Sequence, residues 1–225
     1  DHSLDKGFKK QELFHCDFQV IHKLSTDDFN YLREIKSDKK DLKLISFHIA
    51  SCYEDPLIKK GIFHPQGIKL SIQEMKNNAS ENIKMIKNIF GDQIHISVEN
   101  NNGYKTEAYD YITDPNFISS IVNDNDINFL FDISHAKITA INTDVDYDEY
   151  LSKLPMNRVN QIHISKEAFK LTGEVFDAHE LPSEKETKEI IKFIKKQKTL
   201  KYITVEYYKD SSKLVDYLTK IKSII

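Results

Sequence analysis

Short apolar runs alternate with amphipathic stretches along the whole chain, and this alternation constrains the fold more than any other feature of the sequence. Runs of strand length separated by stretches of helical period are typical of a parallel sheet built from βαβ units. The predicted strands are Glu12–Phe18, Leu42–Ile49, Ile94–Glu99, Ile127–Ile133, Val159–Ile164 and Tyr202–Tyr207, with a shorter candidate at Gly61–Phe63. Since no repeat or Pro/Gly-rich linker divides the sequence, residues 1–225 are predicted to form a single domain.

Helix starts are marked between these runs. Ser71–Glu74 and Ser183–Glu186 have the pattern of capping boxes, and Asp114 precedes a proline that suits a first helical turn. The alternation fits both an open doubly wound sheet and a closed barrel. No glycine-rich phosphate loop follows any predicted strand, which weakens a nucleotide-binding open sheet. The position of the ionisable residues therefore decides between the two architectures.

Five of the predicted strands end in a metal-ligand residue type, where a buried parallel strand normally continues as Val, Ile or Leu. Each follows an apolar residue, so the set shares one phase of the strand alternation. These residues are His48, Glu99, Asp132, His163 and Glu206.

Any one of these residues could be a hydrogen-bonded polar group at the end of its strand. Convergence of five ionisable groups is costly unless they share a charged partner, and a divalent cation is the simplest such partner. Because active sites of (β/α) barrels lie at the carboxyl ends of the strands, the pattern favours a barrel with a metal centre.

Two short motifs add potential ligands. Asp132 and His135 form a DxxH motif just past a strand end, and Asp177 and His179 form a DxH motif in a predicted loop. His64 is expected to face the same mouth if the short strand candidate ends there. The mixture of nitrogen and oxygen ligands favours zinc, iron or manganese. His15, at the end of the first predicted strand, is interpreted as a structural core histidine.

The composition argues against a nucleic-acid partner. The chain has 40% hydrophobic and 30% charged residues and a formal net charge of -3, which indicates a globular protein without a global field for nucleic acid. Arg33 and Arg158 are the only arginines, which argues against a dedicated phosphate reader. Cys16 and Cys52 are interpreted as reduced thiols of a cytoplasmic protein. No apolar run is long enough for a membrane helix.

The order histidine, glutamate, DxxH, histidine, DxH, glutamate resembles the xylose-isomerase-like barrel superfamily, which includes endonuclease IV-type AP endonucleases. Within it, the sequence is most similar to the multinuclear non-haem iron-dependent oxidative enzymes, the methanobactin-synthase-like family. The segments that carry this resemblance are Asn128–Asn142, Tyr150–Pro155, Arg158–His163, Glu99–Asn100 and Asp177–Pro182. The resemblance implies a xylose-isomerase-like (β/α)8 TIM barrel, here short or incomplete at its N-terminus.

The resemblance also implies roles for the ligands. Glu99 would bridge two metals, one completed by Asp132, His163 and Glu206, and the other held by His48 with His64. A third ion would be held by His135, Asp177 and His179. The cofactor would be two or three metal ions, with iron expected first and zinc or manganese as alternatives. The enzyme would use dioxygen to modify a side chain, often cysteine, of a ribosomally made peptide that a separate partner protein presents.

Three other functions remain open from the residues. The same ligands suit a trinuclear zinc phosphodiesterase similar to the AP endonucleases. A single-metal sugar isomerase or epimerase would use only Glu99, Asp132, His163 and Glu206 as its catalytic set. A barrel kept as a binding module would not need so many ligand types. Metal binding is thus expected by every enzyme interpretation, whereas iron rather than zinc depends on the resemblance.

Overall fold

The computed structural model describes residues 9–224 as an α/β fold in which helices connect the strands of a parallel sheet. The strands are β1 (Leu13–Gln19), β2 (Leu44–His48), β3 (Leu57–Lys59), β4 (Ile62–His64), β5 (His95–Glu99), β6 (Asn128–Asp132), β7 (Val159–Ile164), β8 (Lys166–Phe169), β9 (Val175–Glu180) and β10 (Tyr202–Val205). The helices are α1 (Thr26–Asp38), α2 (Ile72–Phe90), α3 (Pro115–Asp124), α4 (Ile133–Thr143), α5 (Tyr147–Lys153), α6 (Glu184–Ile194) and α7 (Ser211–Ile224).

Six parallel strands form the main sheet in the order β1-β2-β5-β6-β7-β10. Their register brings the strand ends level with one another. His48 pairs with Glu99 across β2 and β5, and Asp132 pairs with His163 across β6 and β7. Because parallel strands end at the same edge of the sheet, the four residues of these pairs lie along one edge.

The sheet is strongly curled. β1 and β7 are separated by three other strands, yet the ring centroids of His15 and His163 are 5.3 Å apart. In a flat sheet, strands that are four positions apart would be about 19 Å apart. The sheet therefore wraps around its polar face as a half-barrel. Within residues 9–224, β1 and β10 remain its two edges, so the predicted closure of an eight-stranded barrel is not seen in this part of the chain.

The helices pack on the outer face of the curled sheet, against apolar side chains such as Ile45, Phe47, Val98, Phe131 and Ile162. The capping boxes predicted from the sequence are present at the first turns of α2 and α6. The predicted cap before α3 is also present. Among the described helices, none is long and apolar enough to cross a membrane.

Two antiparallel hairpins stand outside the main sheet. The short strand predicted near His64 belongs to the β3–β4 hairpin and not to the barrel wall. Lys60 and Gly61 form its turn with φ values of 52° and 76°, as a two-residue type I′ turn requires. The second hairpin, β8–β9, carries Asp177 and His179 on a strand where the sequence predicted a loop.

Ser71→Ala should destabilise the fold by about 1 kcal/mol, because the serine oxygen accepts a hydrogen bond from the Glu74 amide at the start of α2. Urea denaturation monitored by circular dichroism measures the change. The matched control is Ser80→Ala, which removes an exposed hydroxyl in the same helix without removing a cap. Equal destabilisation by both substitutions would contradict the role of the capping box.

Candidate metal centre

The curled sheet and the β8–β9 hairpin bring nine potential ligand side chains into one continuous cluster. Its members form four groups whose ligand atoms lie within 4.8 Å of one another. The groups are His15, His48 and Glu99; Glu99, Asp132 and His135; Asp132, His163 and Glu206; and Asp177, His179 and Glu206. Neighbouring groups share Glu99, Asp132 or Glu206, so each of these carboxylates can serve two ions.

Glu99 lies at the centre of one half of the cluster. Its Oε2 atom is 3.2 Å from His15 Nε2 and 3.3 Å from His48 Nδ1. Its other oxygen, Oε1, is 2.8 Å from His163 Nδ1. One carboxylate thus faces three imidazoles from β1, β2 and β7, which only the curl of the sheet allows.

The other half of the cluster combines a strand end with the β8–β9 hairpin. His179 Nε2 lies 3.0 Å from Asp177 Oδ2 and 3.4 Å from Glu206 Oε2. His135 Nε2, at the start of α4, lies 3.3 Å from the same Asp177 oxygen. His163 connects the two halves, because its Nδ1 is also 3.1 Å from Glu206 Oε1.

Hydrogen bonds from outside the cluster orient two of the rings. His15 Nδ1 lies 2.7 Å from the Ser46 hydroxyl, which leaves Nε2 to face Glu99. His135 Nδ1 lies 2.9 Å from the backbone carbonyl of Asn100, which leaves Nε2 to face Asp177. A second contact that fixes the ring is the usual support for a histidine that binds a metal.

His179 has a left-handed backbone conformation, with φ of 46°. A β-strand residue other than glycine held there costs about 1 kcal/mol or more, and such outliers concentrate at functional sites. Here the turn of the backbone places the imidazole against the Asp177 carboxylate. The strained backbone of His179 therefore directs its side chain into the cluster.

Burial makes the charges of the cluster interdependent. It would by itself raise the pKa of Glu99, but His15 and His163 outweigh it and hold that pKa well below the ordinary value. Burial, with repulsion from Glu99 and Glu206, raises the pKa of Asp132 to about 7. The same two glutamates overcome burial at His163 and raise its pKa to about 10. Where no other cation compensates Glu99 and Glu206, His163 therefore holds a proton.

Three buried atoms of the cluster have no hydrogen-bond partner among residues 9–224: Glu99 Oε1, Asp132 Oδ2 and His163 Nδ1. His163 Nδ1 and Glu99 Oε1 are 2.8 Å apart, but the angles between them do not suit a hydrogen bond. Such an arrangement is expected for atoms that point at a common centre. Ligands bound to one ion at about 2.1 Å lie about 3.0–3.4 Å from one another, and most separations in the cluster are close to this range. The residues therefore fit metal ions bound by nitrogen and oxygen donors.

Two histidines differ from their predicted positions. His64 ends β4 in a hairpin pair with Leu57, and it belongs to none of the four groups found in the described chain. His15, interpreted from the sequence as a core residue, lies in the cluster beside His48 and Glu99. The signal for His15 was its place at the end of an apolar run. Nothing in the sequence showed that β1 would curl round to meet β7.

His15→Ala should lower the metal content of the purified protein by about one equivalent, because the group with His48 and Glu99 would lose a third of its donors. Inductively coupled plasma mass spectrometry measures the content. His64→Ala is the matched control and should leave the content unchanged. The opposite result, loss with His64→Ala alone, would return the assignment to His64.

Two solved structures resemble this chain in overall shape. The crystal structure described as AsfvAP:AG has a TM-score of 0.41 and 14% identity, with 99% of this chain and 88% of that chain covered. The crystal structure of a protein described as a dehydratase from Mesorhizobium loti has a TM-score of 0.40 and 10% identity, with coverages of 89% and 50%. At TM-scores below 0.5, neither likeness bears on function. No curated protein sequence matches the chain.

The sequence profile of the RiPP precursor modification enzymes MbnB/TglH/ChrH matches residues 22–225. The match spans every residue of the cluster except His15, which lies upstream of it. It agrees with the resemblance seen in the sequence motifs around Glu99, Asp132 and Asp177. The chain belongs to the MbnB/TglH/ChrH family of RiPP precursor modification enzymes.

Proposed function

We propose that this protein is a multinuclear iron-dependent oxidative enzyme that uses dioxygen to modify a side chain, often cysteine, of a ribosomally made precursor peptide. The observation that carries the proposal is the continuity of the ligand cluster. Its groups are joined through Glu99, Asp132 and Glu206, so the ions would be neighbours bridged by carboxylates and not isolated sites. Membership of a family of peptide-precursor enzymes supplies the class of substrate.

The ligands divide into three sets. His15 and His48 with Glu99 would hold one ion. Glu99 with Asp132, His163 and Glu206 would hold the second, and His135 with Asp177 and His179 the third. This assignment gives His15 the role that the sequence resemblance gave to His64, and Glu99 would bridge the first two ions.

The donor set is compatible with iron. It consists of imidazoles and carboxylates, and neither Cys16 nor Cys52 belongs to any group of potential ligands in the described chain. Mixed nitrogen and oxygen donors suit iron, zinc and manganese, and the sequence resemblance favours iron among them. When bound, such ions would supply the electron-transfer chemistry with dioxygen that the side chains of this protein lack.

Exposure is uneven across the cluster, and this indicates where the substrate enters. Glu99, Asp132 and His163 are almost fully buried, whereas the side chains of His15 and His179 are 28% and 36% exposed. The buried residues would hold the central ion away from water. The partly exposed histidines would leave both ends of the cluster accessible to a peptide side chain.

The peptide class distinguishes this function from the alternatives. A zinc phosphodiesterase would act on DNA and a sugar isomerase on a carbohydrate, whereas the family modifies precursors of ribosomally made peptides. The single-metal isomerase would also leave the group formed by Asp177, His179 and Glu206 without a role. We include in the proposal a separate partner protein that presents the peptide.

The metal identity tests the proposal. Protein purified without oxygen should contain about two or more equivalents of iron. It should also show the mixed-valent signal that the sequence resemblance implies, by Mössbauer and electron paramagnetic resonance spectroscopy. The same protein should change the mass of a cysteine-containing precursor peptide only when oxygen is admitted. Activity with zinc alone, or without oxygen, would refute the oxidative function.

The bridging role of Glu99 has its own test. Glu99→Gln should remove about two equivalents of metal, because an amide oxygen is a weaker ligand and the two ions share this carboxylate. Metal analysis after gel filtration measures the loss. Glu107→Gln, which neutralises an exposed glutamate outside the cluster, should keep the wild-type content. A loss confined to one equivalent would show that Glu99 serves a single ion.

A further inference from the structure

Gln161 is a buried residue whose side-chain amide contacts His163 at Nε2, the ring nitrogen that faces away from the carboxylates. It lies on β7 two residues before His163 and is 2% exposed. Its terminal amide nitrogen is 3.2 Å from His163 Nε2 and 3.0 Å from the Thr204 hydroxyl on β10. Its carbonyl oxygen has no hydrogen-bond partner in the described part of the chain. The amide thus contacts a residue of the cluster while leaving its own acceptor unused.

The other nitrogen of His163 faces the carboxylates. Nδ1 lies 2.8 Å from Glu99 and 3.1 Å from Glu206. An imidazole that binds a cation through Nδ1 offers that lone pair and carries its proton on Nε2. The proton on Nε2 is then a buried donor that needs an acceptor, and an amide NH2 group cannot provide one.

Rotation of the Gln161 amide by half a turn resolves this mismatch. The oxygen and nitrogen of a side-chain amide are nearly equal in size, so the exchange needs no other movement. The oxygen would then lie between the Nε2 proton of His163 and the hydroxyl of Thr204, and both groups can donate to it.

We propose that Gln161 is the positioning residue for His163: its carbonyl oxygen accepts the Nε2 proton, and Thr204 holds the amide in that orientation. The ring is thereby fixed with Nδ1 toward Glu99 and Glu206. A neutral amide performs this task without adding negative charge to a cluster that already contains four carboxylates. The inference depends on the metal-binding part of the proposed function and names a residue outside its ligand set.

The test compares three variants by titration of metal-free protein with zinc against a competing chelator. Gln161→Met keeps the length of the side chain but replaces the amide oxygen with a thioether, which accepts a hydrogen bond only weakly. The zinc bound by His163 should therefore be released about ten- to a hundredfold more readily. Gln161→Glu keeps an acceptor and should bind at wild-type strength or more tightly. Asn160→Leu, which removes the neighbouring buried amide that bonds to Ser97, should leave the zinc affinity unchanged.

A spectroscopic measurement separates positioning from a general loss of stability. In the zinc-bound wild type, long-range proton–nitrogen spectra should show His163 protonated on Nε2, with slow exchange of that proton with water. The slow exchange should persist in Gln161→Glu and be lost in Gln161→Met. This readout on the wild type does not require that any variant folds.

The outcomes separate the role of Gln161 from the metal-binding function of the cluster. Equal zinc affinity in wild type and Gln161→Met, or an equal loss in Asn160→Leu, would overturn the role of Gln161 alone. A rapidly exchanging Nε2 proton in the zinc-bound wild type would do the same. A wild type that binds no metal at the cluster would overturn this inference together with the proposed function.

Discussion

The central constraint on this structure is the negative charge that accumulates at one edge of the curled sheet and has to be compensated. Four carboxylates, those of Glu99, Asp132, Asp177 and Glu206, converge there with little exposure to water. Buried charges are stable only when opposite charges or hydrogen-bond donors compensate them. Three of the imidazoles, those of His135, His163 and His179, do this by holding protons, because the neighbouring carboxylates raise their pKa values. Cations held by the same ligands would meet the requirement as well, which is why metal binding is central to the proposal.

The curl of the sheet makes this convergence possible. Apolar side chains on its outer face pack against the helices, while several residues on its inner face are small or polar, among them Ser46, Ser97, Gln161 and Thr204. The inner face can therefore bring polar side chains together where apolar side chains would otherwise pack. The result is that β1 and β7 contribute to the same cluster although three strands separate them in the sheet.

The β8–β9 hairpin adds potential ligands that the parallel strands do not provide. Strand ends alone provide one ring of ligands, and Asp177 and His179 add a further layer from β9. A left-handed residue and a contact with His135 at the start of α4 anchor that layer. The combination of a rigid sheet edge and an added hairpin gives an elongated cluster. Its two ends, at His15 and His179, are the partly exposed parts of the cluster.

The αβ alternation, the helix caps and the potential ligand residues at the strand ends can be read from local patterns of the sequence. These features are local: an apolar run, a serine three residues before a glutamate, or a carboxylate at the end of a strand is visible without knowledge of any partner. Val159–Ile164 was predicted with its observed bounds, and the other main-sheet strands agree to within two residues at either end.

Only the tertiary structure decided which of those residues meet. Three features depend on the curl of the sheet and on reversals of the chain: the position of His15 in the cluster, the hairpin that carries Asp177, and the contact of Gln161 with His163. The number of strands in the sheet was decided at the same level, because closure depends on how far neighbouring strands rotate relative to one another. These properties arise from packing between distant segments, and no local pattern of residues encodes them.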